Sequence, residues 1–335
     1  MRENRINHFN SNHDDSVQEI RDFNRDVGER EISGLESLRA KPENFSDVYP
    51  PEEIKKDLTY VEEKEDKYRK SLENKTQNDL RIEEREAENR DRDKAAEYIT
   101  IEAIYRGNWL DRQGYEIFVK PTSKFDDYYK GIDLEVAFRK KKDEDWIYLG
   151  IDVTTTQSAK NAKDKINRTK EDIRERGYSY VKYHQPDKKS KEKKGLLQMP
   201  RVVIGYYNQE ELLNLVRIQQ GKIPGKTLED SPLQIEFRQE ILDQLIISLY
   251  HLVEGSRNYG KVEMPQTAEE ALKINLSSLP VNKRKFAVKI QEAIEFIQGV
   301  RQEKNPSEQI SPERAMDPVL QELAPLGTKK SLAAF

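Results

Sequence analysis

The stretch Gly131–Thr156, with the sequence GIDLEVAFRKKKDEDWIYLGIDVTTT, decides the fold. Apolar and polar residues alternate on both sides of the charged turn KKKDED, which is the period of two typical of half-buried strands. This pattern predicts a β-hairpin. With a symmetric turn, the predicted partners across the ladder are Ile132 and Val153, Leu134 and Ile151, Val136 and Leu149, Phe138 and Ile147, and Asp133 and Asp152. One face of the hairpin is then apolar and the other carries two opposed aspartates, so the register is strongly specified.

The opposed pair Asp133 and Asp152 predicts a metal site. Residues opposite each other in an antiparallel ladder have Cβ atoms about 4.5–5.5 Å apart. Two carboxylates that close repel each other, which raises one pKa unless a cation lies between them. Hard oxygen ligands of this kind suit Mg²⁺ or Mn²⁺. The alternative is a solvated sheet face that carries two acids by chance, and the flanking elements favour the metal site.

Composition limits the class of protein. With 335 residues the chain can form one or two domains and a sizeable core. Because 36% of the residues are charged and only 35% are hydrophobic, we expect part of the chain to be solvated helix or disorder. The absence of cysteine excludes disulfides and thiolate zinc sites, and the four histidines form no paired metal motif. No apolar run approaches about 18 residues and the N-terminus lacks a signal-peptide core, so we expect a soluble, cytoplasmic protein without a membrane partner.

Shifts in composition predict five segments. Residues 1–46 are polar and aperiodic, as expected of a disordered tail. Residues 47–93 carry a thin apolar stripe in a very charged sequence, which predicts a helical arm or coiled coil. Residues 94–222 contain the α/β core, residues 228–304 form a region of amphipathic helices, and residues 305–335 are expected to be a flexible tail. The arm or the C-terminal helices offer a surface for a homodimer.

Periodicity within residues 94–222 predicts helices and short strands in a definite order. The expected elements are a helix from Lys94 to Gly107, a strand at Tyr115–Val119, the hairpin, a helix at Ala159–Arg176, the strands SYVKYH and RVVIGYY, and a helix from Asn208 to near Gly221. Glu97 and Glu102 both lie on the first helix. Each is expected to be a solvated flank unless the surroundings make it a ligand.

A lysine-rich loop separates the last two predicted strands. Its lysines are Lys188, Lys189, Lys191, Lys193 and Lys194. Such a loop is usually a solvated tip. If it lies on the carboxylate side of the sheet, it is a natural contact for the phosphates of a nucleic acid.

The order helix, three strands, helix, strand, with acids on the second and third strands, resembles the core of the PD-(D/E)XK nuclease superfamily. The resemblance covers about residues 94–221 and implies a restriction-endonuclease-like αβββαβ core with a mixed sheet. It places the first-helix acid of the family at Glu97, with Glu102 as the second choice, and the strand acids at Asp133 and Asp152. Asp127, in the preceding loop, is implied as a further metal ligand.

The sequence departs from the family pattern at one position. The family lysine stands two residues after the second strand acid, where this chain has Thr154. In members that lack this lysine, a lysine of the following helix can replace it, and the available ones are Lys160, Lys163 and Lys165. Strand and helix geometry does not choose among them. The DKI setting of Lys165 is similar to that of other bacterial members, as is the segment PRVVIG, and this favours Lys165.

The resemblance implies a Mg²⁺- or Mn²⁺-dependent nuclease that hydrolyses phosphodiester bonds of DNA, or of RNA. In that reading Asp133 and Asp152 hold the metal with help from Thr154, Glu97 completes the site, and Lys165 or Lys163 stabilises the developing charge. Lys160 and the lysine-rich loop would follow the phosphate backbone without reading its sequence. Two alternatives remain open. One is a nuclease fold without activity that serves in nucleic-acid binding or protein assembly, and the other is a general α/β platform whose acids are incidental.

Overall fold

The computed structural model describes residues 15–26, 38–73, 77–141, 145–155, 165, 167–169, 171–172, 178–186, 192–206, 208–256 and 263–304. Its helices are α1 (15–26), α2 (Pro51–Glu73), α3 (Gln77–Tyr105), α4 (Gln209–Gln219), α5 (Leu233–Glu254), α6 (Ala268–Leu272) and α7 (Val281–Lys304). Its strands are β1 (Tyr115–Pro121), β2 (Leu134–Lys140), β3 (Ile147–Thr154), β4 (Ser179–His184), β5 (Gly195–Met199) and β6 (Arg201–Gly205). No helix of these residues is long and apolar enough to cross a membrane.

A mixed four-stranded sheet, in the order β1-β2-β3-β6, forms the centre of the molecule. The first three strands are antiparallel, and β6 runs parallel to β3. The predicted hairpin register is confirmed where both strands are regular, since Leu134, Val136 and Phe138 pair with Ile151, Leu149 and Ile147. The chain therefore has a mixed α/β architecture with a mixed sheet, as expected.

The apolar face of the sheet is covered by helices. α3 packs on β1 and β3, α5 packs on β6, and α7 packs on β3. Phe138 of β2 stacks on Phe296 of α7 with ring centroids 3.9 Å apart. β6 is an edge strand, and the side-chain amide of Gln244 accepts from the Val203 N–H (2.8 Å) and donates to the Val203 carbonyl (2.6 Å). This pairing satisfies backbone groups that an edge strand otherwise leaves open.

The opposite face of the sheet is covered by a second, two-stranded sheet of β4 and β5. SYVKYH and RVVIG form strands as predicted, but β5 is an additional strand that the sequence reasoning missed. Its five residues, GLLQM, alternate between buried and exposed and follow directly on the lysine-rich loop. The hairpin β4-β5 therefore lies between β3 and β6 in the sequence. In the main sheet β6, with the sequence RVVIG, pairs directly with β3.

The N-terminal part of the chain differs from the expectation. Residues 15–26 were expected to belong to a disordered tail, and this is wrong, because they form a helix whose Ile20 and Phe23 are buried in the main core. Ion pairs join Arg21 to Asp91 (3.0 Å) and Arg217 to Glu19 (2.8 Å). The apolar side chains recur at the spacing of one helical face, but the stripe is too short to stand out from its polar surroundings.

The predicted boundary between residues 93 and 94 falls inside α3, a single helix of 29 residues. The segment before it packs on the β4-β5 side of the molecule, since Phe45 and Val61 share a cluster with Phe125 and Tyr183. Hence the segment 47–93 is not an isolated arm along its whole length. The predicted C-terminal tail, 305–335, lies outside the described residues.

Candidate active site

Three acidic side chains from three different elements converge at the end of β2. Glu97 comes from α3, Asp127 from a π-helical turn (Asp126–Lys130), and Asp133 from the residue just before β2. One carboxylate oxygen of each lies within 4.8 Å of the other two. We call this group the acid cluster. Carboxylate oxygens at such separations are a donor set that fits a hard divalent cation such as Mg²⁺ or Mn²⁺.

The π-helical turn is held in place by its own first residue. The carboxylate of the buried Asp126 accepts hydrogen bonds from Ser123 Oγ (2.6 Å) and from the backbone N–H groups of Lys182 (2.6 Å) and Tyr183 (3.1 Å). These bonds fasten the turn to β4, and they direct the next residue, Asp127, toward the cluster. Burial nevertheless raises the pKa of Asp126 to about 6.

Gly131 closes the turn in a conformation that favours glycine. Its φ of 64° is left-handed, and its N–H donates to the Asp127 carbonyl at 2.8 Å. A Cβ atom there would lie 3.2 Å from guanidinium nitrogens of both Arg168 and Arg201. Glycine thus adopts the left-handed backbone conformation of the turn and leaves room for the guanidinium groups of Arg168 and Arg201 beside the cluster.

Burial and mutual repulsion outweigh the positive charges of Arg39 and Lys165 near the acids of the cluster. Burial, and after it the charge of Asp127, raises the pKa of Glu97 to about 8. Burial and the neighbouring Glu97 raise the pKa of Asp133 well above its usual range, and burial also raises that of Asp127. Arg39 opposes these shifts only in part, since its guanidinium lies 3.8 Å from Asp127. Such repulsion is the arrangement that a bound cation relieves.

The surroundings of Asp152 differ from those of the three acids. Its Oδ2 is paired with the buried Arg201, and its Oδ1 accepts from Lys165 Nζ at 2.5 Å. Asp152 lies near Asp133, whose pKa it raises, but it is not one of the three acids whose oxygens lie within 4.8 Å of one another. That Asp133 and Asp152 hold a metal as a pair therefore stays a prediction. Asp133 lies in the acid cluster with Glu97 and Asp127. Asp152 is paired with the basic side chains of Lys165 and Arg201.

Lys165 is the one candidate lysine of the following helix that lies within the described residues. Its ammonium also donates to the Val153 carbonyl at 2.9 Å. Burial disfavours the charged amine, but Asp152 and then Asp133 outweigh it and raise the pKa of Lys165 to about 12. A permanent positive charge thus stands beside the acid cluster, at a place where Thr154 supplies none.

The other predicted site residues are not members of the acid cluster or lie outside the described residues. Glu102 accepts from Gln219 (2.7 Å) and is paired with Arg106, so it has no place in the cluster. The Thr154 carbonyl accepts from the Tyr206 N–H. Lys193 is exposed, and Lys194 is bound to Asp47 and to the Asn44 carbonyl. The remaining predicted lysines lie outside the described residues, and these are Lys160, Lys163, Lys188, Lys189 and Lys191.

A second buried charged group, further along the same face of the sheet, shows by contrast what is unusual about the cluster. Glu135 is bound to Lys120 and to His184, both at 3.0 Å, beside a cavity of about 210 Å³. Burial favours its neutral form, but Lys120 and His184 lower the pKa of Glu135 below its usual value. Here the protein itself balances the charge, as it does not in the acid cluster.

Arg201 and Asp126 are the residues of the site that the sequence reasoning missed. Arg201 stands at the first position of β6, next to the Pro200 of PRVVIG, and is almost fully buried. A charged residue at the start of an otherwise apolar strand was the available signal. Its partner Asp152 lies 49 residues away in sequence, so local pattern could not identify the pair.

We expect Arg201→Met to lower the free energy of unfolding by about 3 kcal/mol, because among the described residues it leaves the buried Asp152 with Lys165 as its remaining basic partner. Urea unfolding measures this change. The control is Arg139→Met, which removes a more exposed pair with Glu116 and should cost about 0–1 kcal/mol. Equal losses in the two variants would contradict the role assigned to Arg201.

Comparison with family models, with curated proteins and with solved structures found no match for this chain. The functional conclusion therefore depends on the site itself. That site combines a set of repelling acids, which fits a divalent cation, with a permanently charged lysine at the same end of the sheet. A cation beside an ammonium group is an arrangement suited to a phosphate, which carries negative charge on several oxygens.

Proposed function

We propose that this chain is a divalent-metal-dependent nuclease with a restriction-endonuclease-like core that hydrolyses phosphodiester bonds of DNA or RNA. The observation that supports the proposal most is the acid cluster with Lys165 beside it. The ammonium of Lys165 is held there by its hydrogen bond to Asp152. The donor set is all oxygen, and the raised pKa values of its acids give it a net demand for positive charge. Mg²⁺ and Mn²⁺ satisfy both conditions.

The order of the elements supports the same proposal. α3, β1, β2 and β3 are followed by helical residues between 165 and 172 and then by β6, which gives the order αβββαβ when the hairpin β4-β5 is counted as an insertion. The acids lie on the first helix and at the adjoining ends of β2 and β3. This is the distribution that the resemblance to the PD-(D/E)XK superfamily implies, apart from the placement of the lysine.

Each residue has a distinct task in the proposed reaction. Glu97, Asp127 and Asp133 hold the metal, which when bound lowers the pKa of water and offsets charge on the phosphate. Lys165 presents a fixed ammonium to the non-bridging oxygens, where negative charge develops. Asp152 and Arg201 are positioning residues, because Asp152 orients the lysine and Arg201 fixes Asp152.

The direct test is a cleavage assay of the purified chain on labelled single-stranded DNA, double-stranded DNA and RNA, with Mg²⁺, with Mn²⁺ and with EDTA. The proposal expects cleavage with either metal and none with EDTA, and it expects Asp152→Ala to lose cleavage while the chain remains folded. Absence of cleavage of every substrate would overturn the proposal. The alternative of an inactive nuclease fold is favoured by one observation, namely that Asp152 is already paired with Lys165 and Arg201. Calorimetry with Mn²⁺ separates the active from the inactive protein, because the inactive protein is expected not to bind the ion.

Metal binding should depend on pH. Glu97 titrates at about 8 in the folded protein, against a usual 4.5, so it is protonated over most of the intervening range. Since the metal needs the carboxylate, we expect Mn²⁺ affinity to rise with pH up to about 8, by at most about tenfold per unit for each proton released. By the same linkage, the raised pKa makes the metal-free protein less stable as the pH rises from 4.5 through about 8.

Calorimetry in two buffers that differ in their enthalpy of ionisation measures the protons released, and melting curves in EDTA across the same pH range measure the stability. The two trends should have opposite signs. An affinity that does not change with pH, together with no proton release, would show that Glu97 is not a ligand.

A further inference from the structure

Two tyrosines follow Asp127 directly and face outward. Tyr128 and Tyr129 are 38% and 52% exposed, whereas the preceding Asp126 is fully buried. Within the π-helical turn, Asp126 therefore points into the protein, Asp127 belongs to the acid cluster, and the two tyrosine rings lie at the surface. Tyrosine is enriched at interfaces because it combines an apolar ring with a polar hydroxyl, so two exposed rings beside a charged site suit recognition of a ligand.

Tyr128 differs from its neighbour. Tyr129 stacks on Phe125 with ring centroids 5.1 Å apart and meets Tyr60 edge-on. The side chain of Tyr128, by contrast, makes no ring contact and no hydrogen bond with any part of the chain that the structure describes. Its ring is thus available for an external partner.

The phenol of Tyr128 lies in the electrostatic field of the site. Because Tyr128 directly follows Asp127 in the π-helical turn, it presents a flat ring next to the acid cluster.

Ammonium groups stand among the aromatic rings. Lys130 Nζ lies 3.9 Å from the ring centroid of Tyr180 and 4.6 Å from that of Tyr129, and Lys64 Nζ lies 5.4 Å from that of Tyr60. We call this surface the tyrosine–lysine rim. It consists of Tyr60, Lys64, Tyr128, Tyr129, Lys130 and Tyr180. Alternation of aromatic and cationic groups matches a chain in which flat bases alternate with phosphates.

We infer that the tyrosine–lysine rim binds an unpaired stretch of nucleic acid, with Tyr128 stacked on the base next to the phosphate at the acid cluster. The inference rests on the proposed function and names its substrate class, since a base inside a duplex is stacked on both faces and cannot reach Tyr128. Single strands, frayed ends and flaps are then preferred over continuous duplex. Stacking does not require a particular base, so the preference is for strandedness rather than for sequence.

The test measures binding without cleavage. Fluorescence anisotropy in EDTA compares a labelled single strand of about 12 nucleotides with a duplex of the same length. The full chain should bind the single strand more tightly, and Tyr128→Ala should weaken that binding about 5- to 100-fold, the effect of losing one base–aromatic stack. Tyr128→Phe keeps the ring and should bind like the wild type. Tyr105→Ala is the matched control, because Tyr105 is 66% exposed at the end of α3.

The outcomes distinguish this inference from the proposed function. If Tyr128→Ala binds as Tyr105→Ala does, or if the duplex is preferred, the inference is wrong even where metal-dependent cleavage is found. If single-strand binding depends on the Tyr128 ring but no metal supports cleavage, the rim is confirmed as a binding surface and the nuclease proposal fails.

Discussion

Asp133→Asn is expected to abolish metal-dependent cleavage and, at the same time, to stabilise the metal-free protein. Asparagine is nearly isosteric with aspartate, and its side-chain oxygen can still accept the hydrogen bond that Val153 N–H donates to Asp133 Oδ2 at 2.6 Å. The substitution therefore removes a charge with little change in shape. Loss of a metal worth several kcal/mol in the transition state corresponds to a decrease in rate of about 10³-fold or more.

The gain in stability has the same cause as the loss of activity. Burial and the charges of Glu97 and Asp152 raise the pKa of Asp133, which shows that the ionised form is disfavoured in the folded protein. A neutral side chain removes this repulsion, so the melting temperature in EDTA should rise. In the wild type, added Mn²⁺ should raise the melting temperature, and in the variant it should have little effect.

The control for this experiment is Glu116→Gln, which neutralises a partly exposed carboxylate on the same face of the sheet but outside the acid cluster. It should keep both the cleavage rate and the response to Mn²⁺. A variant Asp133→Asn that cleaves at the wild-type rate, or that melts at a lower temperature in EDTA, would show that Asp133 is not part of an uncompensated metal site.

The hairpin shows what could be predicted from the sequence and why. Alternation fixes which side chains share a face, so Asp133 and Asp152 were placed on the same side of the sheet and three ladder partners were correct. Such a pattern acts over a few residues and involves a single pair of strands. The alternation predicts which face of the strand an acid lies on. It does not predict which side chain the carboxylate contacts in the folded chain.

The partners of these acids are set by contacts between distant segments. Asp127 reaches the cluster because Asp126 is bound to the backbone of β4, more than fifty residues later in the sequence. Asp152 is paired with Arg201, which enters from β6 after the β4-β5 hairpin. Neither contact has a periodic signal. The sequence could therefore identify the acids as a set, whereas the division that we propose, into metal ligands and a positioning residue, required the tertiary structure.

The choice of lysine leads to the second large effect. Lys165→Met should lower the cleavage rate about 10²–10³-fold, the effect expected when one preorganised group that stabilises developing charge is removed. Methionine retains much of the length and apolar character of the lysine stem and removes only its charge. Because Lys165 donates to Asp152 and to the Val153 carbonyl and not to the acid cluster directly, the variant should still bind Mn²⁺. Cleavage and calorimetry on the same preparation measure the two properties separately.

Two further variants make the assignment specific. Lys165→Arg keeps the positive charge and should retain part of the activity, while Lys285→Met removes an exposed lysine of α7 that has no part in the proposed site and should change nothing. If Lys165→Met binds the metal and cleaves at the wild-type rate, the ammonium beside Asp152 is structural, and the catalytic lysine must be sought at Lys160 or Lys163. If it loses Mn²⁺ binding together with cleavage, then Lys165 maintains the acid cluster, and its positive charge cannot be credited with stabilising the phosphate. Only a loss of cleavage rate with Mn²⁺ binding retained would show that Lys165 takes the role of the family lysine, whose position Thr154 occupies in this chain.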